Sequence, residues 1–157
     1  MGTKDRTSSA VLDDVSKAII EQLQEDGRRP YAAIGKAVGL SEAAVRQRVQ
    51  RLLDAGVMQI VAVTDPLQVG FPRQAMIGIS CEGDVEAVAE KISDMAEVDY
   101  VVITAGSYDL LIETVCEDND ALLTFLADRL RAIDGVRETE TFVYLRLVKQ
   151  TYQYGTR

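Results

Sequence analysis

The chain has 157 residues, 47% of them hydrophobic, with 25 acidic against 17 basic side chains, no histidine and a formal net charge of −8. That is enough apolar sequence for one large domain or two small ones, each with a real core, and it is not the composition of a disordered chain. The lack of histidine removes imidazole metal sites, Ser/His and Cys/His nucleophile pairs and histidine acid–base catalysis.

No apolar run is long enough to span a bilayer, and the first fourteen residues lack the apolar segment of a signal peptide. The expected location is therefore the cytoplasm, with no membrane partner, no metal and no cofactor. Charge is unevenly spread. Residues 1–66 hold nine basic and nine acidic side chains, and the remainder eight and sixteen. An asymmetry of this kind points to two modules with different partners.

From Leu12 onward, Val15, Ile19, Ile20 and Leu23 recur at helical spacing, and Asp13 and Asp14 open the first turn where acids favour the helix dipole. Gly27 ends this helix and Pro30 starts a short second one, to about Val38. Gly39 is free to take a positive φ, and Ser41 is placed to cap a third helix, about Glu42–Asp54, that stops at Ala55-Gly56. Two helices joined by a three- to four-residue turn containing Gly describe a helix-turn-helix. Val45, Val49 and Leu52 make the inward stripe of the third helix. The opposite face carries Ala43, Gln47 and Gln50, flanked by Arg46 and Arg51, with Arg48 nearer the core edge. The small residues Ser41, Ala43 and Ala44 at its front let the backbone approach a groove. Gln bonds adenine, and Arg bonds guanine or phosphate. Taken alone, this face fits an ordinary solvated surface equally well, since Arg and Gln are good helix formers. The short helix and Gly turn before it favour double-stranded DNA.

Gln59–Thr64 reads as a strand and Asp65-Pro66 as a turn, a linker between modules. From Arg73 the pattern changes. Strands are expected over Gln74–Cys81, Val98–Gly106, Tyr108–Cys116 and Val136–Val148. One helix spans Asp84–Met95 with Val85, Val88, Ala89 and Ile92 inward. Another spans Asn119–Asp134 with Leu122, Leu123, Leu126 and Leu130 inward. The order β-α-β-β-α-β is the ferredoxin-like arrangement, a four-stranded sheet with both helices on one face. Large apolar groups on the second face, Phe142 and Tyr144 among them, call for a cover, and self-association is the simplest one. Cys81 and Cys116 are expected to end the first and third strands as parallel neighbours lying close together, as free thiols in a reducing compartment. The fold class is thus α+β: an N-terminal (winged) helix-turn-helix domain over 1–58, a linker strand over 59–72, and a C-terminal ferredoxin-like domain over 73–157.

At this point the chain resembles the Lrp/AsnC, or feast/famine, family of bacterial and archaeal transcription regulators. The resemblance covers about Leu12 to Tyr152. It is carried by "LDDVSKAIIEQLQEDGRRPYAAIGKAVGLSEAAVRQRVQRLLDAGVM", the linker "TDPLQVG", the turn "TAGSYDLL" and "GVRETETFVYL", in this order and spacing. It implies a DNA-binding domain, then a ferredoxin-like domain that dimerises and senses a small molecule, usually an amino acid. It also implies dimers that often assemble to octamers. The effector pocket it implies lies between subunits, at Gly106, Ser107, Tyr108 and Asp109 of one subunit with Thr139 and Thr141 of a neighbour. The residues themselves leave an alternative open, because Gly, Ser and Asp are expected in any hairpin turn and Thr in any strand. Pro30 and Gly35 depart from the family, which more often has serine and alanine there, and residues 41–56 contain no lysine. Two further readings compete. A siroheme-decarboxylase-like enzyme shares the architecture, but such an enzyme is expected to use histidine and clustered basic residues. The other is a regulatory subunit without DNA binding.

Overall fold

The computed structural model describes residues 12–153, 155 and 156; expectations for the first eleven residues lie outside them. Two compact units are present. The first comprises the described residues up to Ala62 together with those from Lys149 onward, and the second Val63–Val148. The C-terminal segment therefore groups with the helices, whereas its sequence suggests a place with the sheet. Its side chains bond the first helix: Gln153 Nε2 donates to the Gln24 carbonyl at 3.0 Å, and Thr156 Oγ1 to Glu21 Oε1 at 2.5 Å.

In the first unit α1 spans Asp14–Glu25, α2 Tyr31–Val38 and α3 Glu42–Asp54. Asp13 caps α1, its carboxylate accepting from the Ser16 amide. Gly39 ends α2 at φ 72°, a left-handed conformation that costs glycine little. Ser41 then caps α3, its hydroxyl accepting from the Ala44 amide at 3.2 Å. Ile19, Leu23, Ile34, Val45 and Val49 close one core cluster, so each helix contributes the apolar stripe its spacing announces. Among the described residues of this unit no strand is assigned, and Gln59–Thr64 forms neither the expected linker strand nor a wing. Its β-branched composition favours extended backbone, but a strand exists only where a ladder partner accepts its amides and carbonyls.

In the second unit a 3₁₀ turn, Pro66–Val69, is capped by Asp65. It is followed by β1 Arg73–Cys81, α4 Val85–Ser93, β2 Val98–Ile103, β3 Leu110–Cys116, α5 Asn119–Thr124 and β4 Val136–Val143. The strand order is β2-β3-β1-β4, with every neighbouring pair antiparallel. Ile77 and Ile79 of β1 and Leu110 and Ile112 of β3 pack with Val88 and Ile92 of α4 and with Phe125 and Leu130, so both helical segments cover one face.

Three details differ from the sequence-based expectation. β1 and β3 run antiparallel with Arg73 opposite Cys116. Cys81 and Cys116 therefore sit at opposite ends, about eight residues or roughly 27 Å apart along the strand direction; both are free thiols. β4 stops at Val143, and Leu145 and Val148 beyond it are exposed. The helix after Asn119 widens into a π-helical segment, Phe125–Leu130, in which the Arg131 amide bonds the Leu126 carbonyl. That wider turn rotates the inward face, so Phe125 is buried while Leu123 is 63% exposed.

Gly35, whose helix cost reads from sequence as a defect, has a steric reason. A Cβ there would lie 2.5 Å from the Leu40 carbonyl oxygen across the α2–α3 turn. A branched side chain has to push that backbone away. Gly35→Val is expected to destabilise the first unit by about 1–3 kcal/mol, the usual cost of overpacking. Chemical denaturation followed by circular dichroism checks this, and an unchanged midpoint would contradict it.

Candidate functional site

The face of α3 opposite its core stripe is exposed. Val45, Val49 and Leu52 are buried, at 0%, 1% and 0%, while Ser41, Ala43, Arg46, Gln47, Gln50 and Arg51 are exposed and Ala44 half-buried. The seven residues singled out from the sequence therefore run from the N-cap to the last turn of α3 on its accessible side. Arg46 is held by Glu42 at 3.0 Å and lies over the Tyr31 ring of α2, 5.3 Å from its centroid. Gln50 bonds Asp54 Oδ1 at 2.8 Å. These exposed contacts are worth little in water and are exchangeable for a ligand's acceptors.

Arg48 has a different task. Its Nη1 donates to both oxygens of Asp13, at 2.8 and 2.7 Å, and to Ser16 Oγ at 3.1 Å. This ties α3 to the start of α1. The hydrogen bonds from Ser16, side chain first and then backbone, followed by that from Arg48, hold the Asp13 carboxyl down at about 2, against an ordinary 3.8.

The second candidate surface lies in the sheet unit. Tyr108, Ser107 and Gly106 lie in the turn between β2 and β3. A Cβ on Gly106 would meet nothing within 4 Å, so its backbone is open to close approach. The turn itself is pinned. Thr104 Oγ1 donates to the Tyr108 carbonyl at 2.5 Å, and the Cys81 amide donates to Asp109 Oδ2 at 2.7 Å. Asp109 thus closes the loop with one oxygen, and its other oxygen has no hydrogen-bond partner among the described residues. The Tyr108 ring lies flat on Gly78, where an added Cβ would fall 2.5 Å from its Cδ2, and meets Phe142 edge-on at 6.4 Å between centroids. A glycine inside a strand signals such a close approach, and that signal in β1 was legible but unused.

Thr139 and Thr141 sit opposite Ile79 and Ile77 in the β1–β4 ladder and therefore on the helix-covered side, whereas Tyr108 lies on the other. Within one protomer the turn flanks β1 from the β3 side and the threonines from the β4 side. They are two strand spacings apart, roughly 10 Å, and one protomer does not bring them together. Thr139 Oγ1 instead accepts from Arg131 Nε at 3.1 Å. Arg131, Val136, Arg137, Glu138 and Thr139 line a cavity of about 380 Å³. Neither Arg131 nor Arg137 is among the pocket residues that the resemblance implies. No cluster of His, Cys, Asp and Glu suited to a metal ion occurs among the described residues, and no helix among them is long and apolar enough to cross a membrane.

Residues 12–53 match the family model described as the AsnC-type helix-turn-helix domain, and residues 74–154 match that of the Lrp/AsnC ligand binding domain. An uncharacterized HTH-type transcriptional regulator of Pyrococcus furiosus is 35% identical over 144 residues, which cover 90% of this chain and 97% of the relative. The regulatory protein AsnC of Escherichia coli is 28% identical over 139 residues, covering 87% and 91%. Among solved structures, a transcriptional regulator of Neisseria meningitidis in complex with L-Met aligns with a TM-score of 0.78 at 27% identity, over 93% of this chain and 96% of that one.

The Asp13–Arg48 tie generates an acid-sensitivity prediction. A carboxyl whose folded pKa is depressed stabilises above its unfolded value and loses that contribution as pH falls through the folded one. The first unit is expected to lose stability as pH falls from 3.8 towards about 2. Asp13→Asn, which can still cap α1, is expected to flatten that dependence. Denaturation midpoints across this window check it, and identical slopes in parent and variant would contradict it.

Proposed function

Because the chain belongs to the Lrp/AsnC family, and is accordingly an AsnC-type DNA-binding transcriptional regulator with a ligand-binding domain rather than an enzyme, we propose that α3 reads the major groove through Ser41, Ala43, Ala44, Arg46, Gln47, Gln50 and Arg51. The observation that carries this is the coincidence of those side chains with the exposed face of a helix whose other face is fully buried. Gln47 and Gln50 match the adenine edge in the major groove, Arg46 and Arg51 the guanine edge or flanking phosphates. Ser41 and the alanines leave the helix N-terminus close to the backbone, where its amides favour phosphate.

We further propose that an amino acid or related metabolite is the effector. It binds between protomers, at the open backbone of Gly106–Tyr108 with Asp109, and at Thr139 and Thr141 of a neighbouring protomer. The exposure of Gly106 supports the first half of that site, and the separation of the turn from the threonines within one protomer favours a shared one. The relative solved with L-Met lends the chemical class. The protein is read as a homodimer that assembles further, for instance to an octamer. Phe142 and Tyr100, 45% and 52% exposed on the sheet face away from the helices, supply apolar surface for that association.

Two experiments test this reading. Gln47→Ala and Arg46→Ala are each expected to weaken binding to a genomically selected operator by about 1–3 kcal/mol, as loss of a bidentate base contact does, with unfolding midpoints unchanged. Unaltered operator affinity in both would move the reading element elsewhere. Sedimentation at micromolar concentration is expected to give at least twice the 17.2 kDa chain mass, and a monomer would contradict the assembly.

A further inference from the structure

We infer that the effector carries a second carboxylate, and that Arg131 and Arg137 beside Thr139 receive it; this rests on the sensor reading above and names its ligand class as an acidic amino acid.

The chain beyond residue 66 is rich in acid, with sixteen Asp/Glu against eight Lys/Arg. Arg129 pairs with Glu97, whereas Arg73, Arg131, Arg137 and Arg146 lie in no ion pair among the described residues. Of these, Arg131 and Arg137 line the same cavity of about 380 Å³. Arg131 is steered there by a neutral group, its Nε donating to Thr139 Oγ1. That contact leaves its terminal nitrogens, the fork that matches a carboxylate, without a hydrogen-bond partner among the described residues. Arg137 stands at the irregularity where the β1–β4 register slips between Ser80 and Cys81, and bulges of this kind re-aim side chains beside binding sites. Glu138 also lines the cavity, but it pairs with Ser80 in the ladder, on the face away from the helices.

The cavity lining carries two guanidinium side chains against the one carboxylate of Glu138, an excess of positive charge that a ligand with a second carboxylate would balance. A neutral zwitterion offers one carboxylate and brings an ammonium with it. Aspartate or glutamate offers a second carboxylate, so the site discriminates an acid from its amide of nearly equal shape. The open edge of β4 gives access, and Val136 forms an apolar wall for the connecting methylenes.

Calorimetry on the full chain at neutral pH, with aspartate against asparagine and glutamate against glutamine, tests this. At least one acid is expected to bind tenfold or more tightly than its amide. Arg131→Gln and Arg137→Gln are each expected to abolish that preference without changing the amide's affinity or the sedimentation mass, and Arg131→Lys is expected to restore part of it. If both amides bind as well as their acids, or if neither glutamine variant alters the preference, the inference is overturned. Should only neutral or basic members of the twenty amino acids bind, the sensor reading stands and this inference falls. Should none bind, both fall.

Discussion

Burial of one stripe of α3 is the constraint on which the rest of the molecule's function depends. Val45 and Val49 pack with Ile19, Leu23 and Ile34, and Leu52 beside them is fully buried. Each such side chain contributes roughly 1.5–3 kcal/mol through removal of apolar surface. A helix has one rotational setting that buries all three, and that setting turns Ala43, Arg46, Gln47 and Gln50 outward together. The Asp13–Arg48 pair fixes the same helix against the start of α1, and Gly35 lets α2 approach the Leu40 carbonyl closely enough to set the turn. Base recognition requires side chains held within a fraction of an ångström of their targets. Here packing and a short turn hold the helix, and of the residues proposed to read DNA Ser41 also caps it.

An excess of acid is compatible with DNA binding because the charge is segregated. Residues 1–66 balance, and the deficit lies wholly beyond them. Phosphate attraction acts over about a Debye length, roughly 8–10 Å at ordinary salt, so the charge local to α3 weighs more than the total for the chain. The same segregation makes the sheet unit an unwelcoming surface for nucleic acid.

The helical unit was legible in the sequence almost to the residue, since its helices are short, amphipathic and bounded by Asp13, Gly39, Ser41 and Gly56. The exposure of Ala43, Arg46, Gln47, Gln50 and Arg51, proposed above to read DNA, follows from the position of three apolar residues. The sheet unit was legible in element order and less so in detail. Leu123 points outward because the helix widens to a π turn after Thr124, and no period of 3.6 anticipates that. The cysteines lie far apart because neighbouring strands run antiparallel, a property of topology and not of any local stretch. Gln59–Thr64 has the composition of a strand, but its pairing depends on a partner that composition does not name. The side of the sheet on which Thr139 and Thr141 lie follows from ladder register, and it is this register that places Thr139 beside Arg131. The Asp109 carboxylate, attractive as a ligand group from sequence, turns out to close its own loop through the Cys81 amide.

The claim that α3 enters the major groove is tested most directly by affinity cleavage. A cleavage reagent is attached to a cysteine placed at Gln47, or for comparison at Glu21 on α1, in a Cys81→Ser background on an operator selected from genomic DNA. Strong cleavage is expected from position 47, centred on two sites about one helical turn or a multiple of it apart, and little from position 21. Equal cleavage from both positions, or cleavage from position 21 alone, would contradict it.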